Sequence, residues 1–323
     1  MSGMGNNISI ISLGGNAILR RGERGTVEEQ FRNADACMAE VAGMLASGRK
    51  VVITHGNGPI VGNIVIRGEC AGNTIPPMPL YYSDADSEGG IGFMIQQTLY
   101  NRLMMIREVK EVVTIITQVV VDADDPAFTH PTKPIGPYYR EEEAEVLRKE
   151  RGWTLVGQAG GYRRVVPSPR PKRVIEKDVI QRLALEGVVV IAAGGGGVPV
   201  VETSEGMLRG IDAVIDKDLT TSVLATEIGA ENIVILTDVE RVYLKFGKAE
   251  QKGIGHVTLR DIRRFHEEGH FPPGSMGPKI EAAIRFLEAG GRRVVITLPE
   301  RMGAALEGRA GTTIIPGQGH LTA

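Results

Sequence analysis

Compact apolar runs alternate with longer amphipathic segments along most of the chain. Runs such as Ile8–Leu13, Lys50–Thr54 and Arg293–Thr297 are rich in isoleucine and valine, which is typical of buried β-strands. Thr26–Ala46 instead carries apolar residues three and four positions apart, the spacing of a helix with one buried face. Strands that alternate with helices predict a mostly parallel sheet covered by helices on both faces. The expected fold class is therefore α/β, a three-layer αβα sandwich with an open central sheet.

The same pattern predicts most of the remaining elements. We expect further strands at Glu111–Val121, 187–193 and Asn232–Leu236, and further helices at Phe93–Ile106, Glu141–Glu150, Val174–Leu185, Thr258–Glu268 and Ile280–Ala289. The proline-containing stretch Gly72–Gly92 is expected to be a loop, and Gly247–Gly255 a polar connector.

Glycine and asparagine follow the first two predicted strands directly. Glycine allows the backbone to turn sharply and to approach a ligand closely. If the two strands are adjacent and parallel, their carboxyl ends share one crevice, the usual ligand site of open α/β sheets. Each turn alone is also compatible with an ordinary strand-to-helix connection. The backbone N–H groups predicted to bind anionic oxygens here are those of Gly14, Gly15, Gly56 and Gly58.

The triplet Asp216-Lys217-Asp218 precedes apolar residues at helical spacing. A glycine-rich loop, 194–197, lies upstream at the end of another apolar run. A helix N-terminus carries unpaired N–H groups and partial positive charge, which favours a phosphate. Lys217 would add a full charge there, and the aspartates could hold it in place. The simpler alternative is a capped surface helix with a solvated lysine.

Composition excludes some classes of protein. The net charge of −2, from 37 basic and 39 acidic residues, gives no support for nucleic-acid binding. Glycine is abundant, 42 of 323 residues, and clusters at the ends of apolar runs. The two cysteines, Cys37 and Cys70, have neither metal-site nor redox spacing. We find no signal-peptide pattern and no apolar run of about 18 residues, so a cytoplasmic protein is expected.

The segment 123–172, called the excursion below, differs from the rest. It is rich in proline and aromatic residues and is expected to form a small protruding lid. Lys133 stands before Pro134 on a stiff backbone, and Lys279 follows a glycine turn at a helix N-terminus. Either lysine alone could be an ordinary solvated side chain.

The motifs favour phosphoryl transfer. There is no GxxxxGK[ST] loop, no GxGxxG fingerprint and no motif for a serine or cysteine nucleophile. His55 is the one histidine that stands directly before a glycine turn at the end of a predicted strand, and a structural role is its ordinary interpretation. Backbone N–H groups and lysines suit a reaction that needs charge neutralisation and positioning more than a base.

The motifs also carry a resemblance. SLGGNA, THGNGP, DPAFTHPTKPIGPYY, YRRVVPSP, DKDL, LTDV and GSMGPK occur in one unbroken order over about residues 8 to 318. Together they resemble the carbamate kinase family, which has the amino-acid-kinase fold. The proline-rich motif of the excursion is the most particular to that family. One difference is Lys245, which stands where the family often has an asparagine.

The resemblance implies the reaction ATP + carbamate ⇌ ADP + carbamoyl phosphate with Mg²⁺, run in cells towards ATP. It implies a single domain of two lobes, about 1–210 for carbamate and 211–323 for nucleotide, and a homodimer that Phe93–Ile106 could form. Mg²⁺ would bind through the nucleotide phosphates, with no protein ligand assigned. The implied catalytic residues are Lys133, Lys217, Asp218 and Lys279. The residues implied to hold the carbamate or its phosphorylated product are Gly14, Gly15, Asn16, Gly56, Asn57 and Gly58. The implied nucleotide-binding residues are Asp216, Lys217, Asp238, Tyr243, Met276 and Lys279.

Two alternatives stay open at this point. One is a kinase of another small carboxylate within the same fold. The other is a non-catalytic sensor of nucleotide or carbamoyl phosphate, although such a sensor could dispense with Lys217.

Overall fold

The computed structural model describes residues 6–20, 22–72, 74–158 and 160–317, and the side chain of Asn16 lies outside this description. Its strands are β1 (Ile8–Leu13), β2 (Lys50–His55), β3 (Val112–Thr114), β4 (Gln118–Val120), β5 (Lys133–Tyr139), β6 (Leu155–Gln158), β7 (Gly161–Val166), β8 (Arg173–Val174), β9 (Val189–Ile191), β10 (Val198–Glu202), β11 (Leu208–Gly210), β12 (Asn232–Leu236), β13 (Val242–Leu244), β14 (Lys252–Ile254), β15 (His256–Thr258), β16 (Arg293–Thr297) and β17 (Thr312–Ile315).

Its α-helices are α1 (Val27–Ala46), α2 (Gly58–Cys70), α3 (Leu80–Met105), α4 (Glu141–Arg151), α5 (Lys177–Glu186), α6 (Lys217–Glu227), α7 (Leu259–Glu267), α8 (Met276–Glu288) and α9 (Met302–Leu306). Short 3₁₀ helices lie at Gly15–Ala17, Pro126–Phe128, Gly194–Gly196 and Pro299–Arg301.

An eight-stranded sheet runs through the molecule in the order β15-β17-β16-β12-β1-β2-β9-β3. Every neighbouring pair in it is parallel except β16 with β17. The central strand β1 pairs with β12 on one side and β2 on the other. Their carboxyl ends therefore lie side by side at one edge of the sheet. The predicted α/β fold with a mostly parallel sheet is confirmed.

Helices cover both faces of this sheet. In β1, Ile10 belongs to a buried cluster with residues of α6 and α8, such as Leu224 and Ile280. The next residue, Ile11, belongs to a second cluster with residues of α1 and α3, such as Met38. Neighbouring residues of a strand point to opposite faces, so each strand contributes to both cores. This is the expected three-layer sandwich.

The predicted loop at Gly72–Gly92 is wrong from residue 80 onwards, because α3 begins at Leu80. The helical spacing was hidden because several of its inward positions are polar, namely Ser83, Asp84, Ser87 and Glu88. α3 spans 26 residues. Even so, no described helix is both long and apolar enough to cross a membrane, and the cellular location stays a prediction.

Three further segments differ from the sequence analysis. Glu111–Val121 is not one strand, since β3 and β4 belong to different sheets. The chain turns between them, where the Thr117 hydroxyl donates to the Ile115 carbonyl. The helix α2 was not predicted at all. The helix expected from Val174 begins only at Lys177, because Arg173–Val174 pairs with β4.

The excursion carries a small antiparallel sheet, in the order β5-β7-β6, and the helix α4. It packs on α2 where Gly62 meets Gly136, and a Cβ on Gly62 would lie only 2.2 Å from the Gly136 Cα. The two glycines therefore allow the excursion to rest directly on the main body. The division into two lobes stays a prediction, since the large sheet takes strands from both sides of residue 210.

Candidate functional site

The triplet at 216–218 starts helix α6, as its sequence predicts. Asp216 caps the helix, and its Oδ1 accepts from the N–H of Asp218 at 3.0 Å and of Leu219 at 3.4 Å. A capping carboxylate of this kind fixes the direction in which the helix leaves the sheet. Lys217 is thereby held at a helix N-terminus, beside the carboxyl end of β1.

Lys217 reaches across to the central strand. Its Nζ donates to the Ser12 Oγ at 2.8 Å and to the Asp218 Oδ1 at 2.6 Å, and the residue is only 8% exposed. Burial lowers the pKa of Lys217, while the charge of Asp218 acts in the opposite direction. The ammonium group is therefore fixed on two sides and has limited contact with water.

Asp218 holds a second lysine as well. Its Oδ2 accepts from the Lys279 Nζ at 3.0 Å, and Lys279 stands in the first turn of α8. Burial alone would raise the pKa of Asp218, but Lys217 and Lys279 hold it below its usual value. Although burial acts to lower the pKa of Lys279, Asp218 outweighs it and raises that pKa. Two positive charges and one negative charge leave a net positive group that attracts anions.

Lys133 comes from the excursion. Its Nζ donates to the Asp216 Oδ2 at 2.7 Å. Lys133, Lys217 and Lys279, which are far apart in sequence, therefore converge on the single triplet at the start of α6. We expected this convergence from the sequence, and the coordinates show it.

The N–H groups of the two substrate loops are used differently from what the sequence predicted. The Gly14 N–H donates to the Leu236 carbonyl at 3.1 Å, and the Gly56 N–H donates to the Leu13 carbonyl at 3.0 Å. These bonds continue the parallel ladder, so two of the four glycine N–H groups expected to bind an anion are already occupied. Among the described residues, the N–H groups of Gly15, Asn57 and Gly58 have no acceptor.

A residue without a side chain is needed at Gly56, because two parts of the site meet there. A Cβ at this position would lie 3.3 Å from the Gly15 nitrogen and 3.4 Å from the Lys217 Cδ. Both distances are shorter than relaxed van der Waals contacts. Gly56 therefore lets the first loop, the second loop and the lysine stem approach one another.

A cleft of about 1400 Å³ opens over this edge. Gly14, Gly15 and Lys217 lie at its floor, and its walls include four of the residues expected at the nucleotide: Asp238, Tyr243, Met276 and Lys279. The predicted site residues that are not among its described lining residues are Gly56, Asn57, Gly58, Lys133, Asp216 and Asp218. Tyr138 and Arg163 of the excursion close one side.

The structure also shows a buried polar layer that the sequence analysis missed. Asp84 and Glu88 of α3 are each 1% exposed and lie beneath the loop after β2. His55 is fully buried beside them, and its Nδ1 is 3.2 Å from the Gly56 carbonyl. Burial lowers the pKa of His55 to about 4 and raises that of Glu88 to about 8. The expected structural role of His55 agrees with this position.

The loop 194–197 belongs to this buried layer and not to the cleft. The Gly194 N–H donates to the Glu88 Oε1 at 2.8 Å, and the Ala193 N–H donates to the Thr117 Oγ1 at 2.9 Å. Gly195 covers the amide of Asn57, where a Cβ would lie 2.2 Å from Nδ2. The glycine-rich loop upstream of the triplet is therefore packed against groups of the protein itself.

Comparison with known proteins agrees with this architecture. Residues 7–298 match the family model described as the amino acid kinase family. The chain is 49% identical to the carbamate kinase of Thermococcus kodakarensis and 47% identical to that of Pyrococcus furiosus, over 95% of this chain and 98% of each relative. The carbamate kinase of Giardia lamblia bound to citric acid superimposes with a TM-score of 0.91 at 40% identity, over 95% of this chain and 98% of that one. The same enzyme bound to AMP-PNP gives a TM-score of 0.88 at 41% identity, with the same coverage.

A parallel sheet with a lysine-lined cleft at its carboxyl edge, together with the family match, defines an α/β protein of the phosphotransferase type. The chain belongs to the amino acid kinase family and, within it, to the carbamate kinases.

Proposed function

We propose that this protein catalyses reversible phosphoryl transfer between ATP and carbamate, forming ADP and carbamoyl phosphate, and that cells run it towards ATP. The observation that carries the proposal is the Lys217–Asp218–Lys279 group, whose two lysines line a large cleft together with Gly15, and the Gly15 N–H group has no acceptor among the described residues. Its relatives are carbamate kinases, which fits this chemistry.

The reaction requires no general base. Towards ATP, an oxygen of the ADP β-phosphate attacks the phosphorus of carbamoyl phosphate, and the bond from that phosphorus to the carbamate oxygen breaks. Carbamate leaves as an anion, so no proton has to move. Such a transfer depends on positioning and on neutralising the oxygens around phosphorus. The neutral, buried His55 is consistent with this scheme.

We assign the lysines to successive positions along the transfer. Lys217, fixed between Ser12 and Asp218, would contact the transferred phosphoryl group. Lys279, in the first turn of α8, would contact the nucleotide phosphates. Asp218 would orient both ammonium groups, because each of its oxygens accepts from one of them. Preorganised charges of this kind lower the barrier without reorganising during the reaction.

The two loops would hold the carbamoyl group. We propose that the free N–H groups of Gly15, Asn57 and Gly58 bind its oxygens, while Gly14 and Gly56 shape the floor. Asn16 follows Gly15 in the same 3₁₀ turn, and its predicted contact would come from a side chain that lies outside the described part of the structure.

The nucleotide would lie along the opposite wall, against Asp238, Tyr243 and Met276. We propose that Mg²⁺ arrives on the nucleotide phosphates, because Asp216 and Asp218 are occupied by lysines and helix N–H groups. In the described residues, no cluster of three or more His, Cys, Asp or Glu side chains could hold a metal ion. When bound, Mg²⁺ would neutralise phosphate charge.

The excursion would cover the site. Lys133 joins it to the start of α6 through Asp216, which we now regard as an anchor for the excursion and not as a nucleotide contact. We also propose a homodimer, since α3 exposes Phe93, Tyr100 and Met104 on its outer surface.

The direct test mixes ADP, Mg²⁺ and carbamoyl phosphate and measures ATP. We expect ATP from the unaltered protein and a loss of about 10²–10³-fold in kcat for Lys217→Ala, typical of removing one preorganised donor. Lys172→Ala is the matched control, because that lysine is exposed and paired with Asp122, and it should leave kcat unchanged.

The outcomes also separate the alternatives. A folded protein that makes no ATP from carbamoyl phosphate, but phosphorylates another small carboxylate with ATP, would favour the second kinase hypothesis. Nucleotide binding without turnover on a substrate panel would favour a sensor.

A further inference from the structure

The amide of Asn57 is held from beneath by two side chains of α3. Its Nδ2 donates to the Asp84 Oδ1 at 2.9 Å and to the Ser87 Oγ at 3.0 Å. All three residues are buried, at 4%, 1% and 1% exposure for Asn57, Asp84 and Ser87. A side-chain amide has two N–H groups and one carbonyl oxygen. Both N–H groups are therefore used inside the protein.

Ser87 fixes which end of the amide faces it. Its hydroxyl donates to the main-chain carbonyl of Asp84 at 2.8 Å, so its only proton is already used. Towards Asn57, the Ser87 Oγ can act only as an acceptor. The atom 3.0 Å away is therefore assigned as the donor Nδ2 and not as the oxygen.

The Oδ1 of Asn57 is left as a hydrogen-bond acceptor. It accepts no hydrogen bond from any described residue, and the two described bonds of this amide both run through Nδ2. Gly195 covers one face of the amide, while the neighbouring Gly56 touches Gly15 and the stem of Lys217. Asn57 itself lies in the loop to which the carbamoyl group is assigned.

We propose that Asp84 is a positioning residue, which fixes the Asn57 amide so that its oxygen accepts an N–H from the amino group of the substrate. This inference rests on the proposed function and deepens it. The oxygens of carbamate and of the phosphoryl group only accept hydrogen bonds, whereas the amino group can donate. An acceptor in a site otherwise built of N–H donors and lysines selects a carbamoyl group over an acyl group that ends in a methyl.

The surroundings of Asp84 are compatible with a neutral carboxyl. Burial raises the pKa of Asp84 well above its usual value, against the hydrogen bond from Asn57. A neutral carboxyl still offers one accepting oxygen to Nδ2. An asparagine at position 84 offers the same acceptor in nearly the same volume, whereas a leucine offers none.

The test compares two phosphoryl donors to ADP, carbamoyl phosphate and acetyl phosphate, in which a methyl replaces the amino group. The readout is the ratio of their kcat/KM values, measured as ATP formed by the full-length protein. We expect Asp84→Leu to lower this ratio about tenfold, the effect of about one lost hydrogen bond. Asp84→Asn should keep the ratio within about threefold of the unaltered protein, since rescue depends on the acceptor alone.

A purely structural role gives a different result. If Asp84→Leu lowers kcat/KM for both donors by one common factor, the ratio is unchanged and the inference is overturned. Should Asp84→Leu fail to fold, Ser87→Ala takes its place, since it removes only one hydroxyl. A ratio lowered severalfold by Ser87→Ala supports the inference, and an unchanged ratio overturns it.

The failure of the proposed function looks different again. In that case the unaltered protein makes no ATP from carbamoyl phosphate, whereas the inference about Asp84 fails only when ATP is made and the donor ratio does not respond to the substitutions.

Discussion

The loops Gly56–Gly58 and Gly194–Gly197 follow neighbouring parallel strands, β2 and β9, and differ in where their N–H groups point. After β2, the N–H groups of Asn57 and Gly58 have no acceptor among the described residues. After β9, the N–H group of Gly194 donates to Glu88. In the described structure the first loop therefore keeps unpaired N–H groups, whereas the second is bound by the protein's own carboxylate.

The difference shows what glycine at a strand end implies. The space around the glycines differs between the two loops. Near Gly58, as near Gly15 after β1, no described atom outside the adjoining residues lies within 4 Å of the position of a Cβ, whereas near Gly194 the His55 Nε2 lies 2.3 Å from it. Alanine substitutions should therefore affect activity at the open loops and stability at the buried one.

The largest effect is expected for Gly195→Ala. The φ of this residue is +68°, and its Cβ would lie 2.2 Å from the Asn57 Nδ2. Left-handed backbone costs a non-glycine residue about 1–2 kcal/mol, and overpacking adds about 1–3 kcal/mol. We expect the free energy of unfolding, measured by urea denaturation, to fall by about 2–5 kcal/mol.

Gly206→Ala is the matched control for backbone strain. Its φ is +77°, but no atom lies within 4 Å of its Cβ position. It should lose only about 1–2 kcal/mol. Equal losses for the two variants would mean that the buried loop is not tightly packed, which would contradict the comparison.

A smaller effect, on activity and not on stability, is expected for Gly15→Ala. The new methyl would enter the cleft beside the free Gly15 N–H, where it displaces the substrate from its position. A misplacement of about 1 Å can cost about a hundredfold, so we expect kcat/KM for carbamoyl phosphate to fall by about 10- to 100-fold. The free energy of unfolding should change by less than about 0.5 kcal/mol.

Gly43→Ala controls for the substitution itself. Gly43 lies within α1, again with open space at its Cβ position. Alanine there should raise helix stability by up to about 1 kcal/mol and leave kcat/KM unchanged. If Gly15→Ala behaves in the same way, the open loop does not contact the substrate.

Much of the fold could be predicted because its strands are buried on both sides. A segment such as Ile8–Leu13 is buried along its whole length, so its apolar run is visible without knowledge of its neighbours. The first half of α3 was missed for the opposite reason. Its buried positions, including Ser83 and Ser87, follow helical spacing with polar side chains. The spacing was present in the sequence, but only apolar residues were counted.

The residues of the candidate site also differ in whether the sequence alone could predict them. Lys217 and Lys279 could be predicted because each follows a local signal, a capped helix start or a glycine turn. Glu88 could not, because its role depends on a contact with Gly194, which is 106 residues away in sequence. Nor does the motif show that the Gly56 N–H is taken by Leu13, since that depends on the register of two strands.

The smallest effect is expected for a substitution of His55, and it tests whether water reaches the buried polar layer. Its Nδ1 faces the Gly56 carbonyl, and its Nε2 has no partner in the described structure. Burial lowers its pKa from 6.5 to about 4, so between these values the unfolded chain binds a proton that the folded protein does not. Stability from this group is full above pH 6.5 and is lost as the pH falls towards 4.

Glu88, whose pKa is raised to about 8, acts in the opposite direction, and it does so equally in the protein with and without His55. The free energy of unfolding is therefore measured at pH 7 and at pH 6, for the unaltered protein and for His55→Gln. The change between the two pH values in the variant is then subtracted from the change in the unaltered protein. We expect a difference of about 0.5–1 kcal/mol, with the unaltered protein losing more. His130→Gln, at an exposed position, should match the unaltered protein. Identical pH responses of the unaltered protein and His55→Gln would mean that water reaches the histidine, and the buried loop would then resemble the open one.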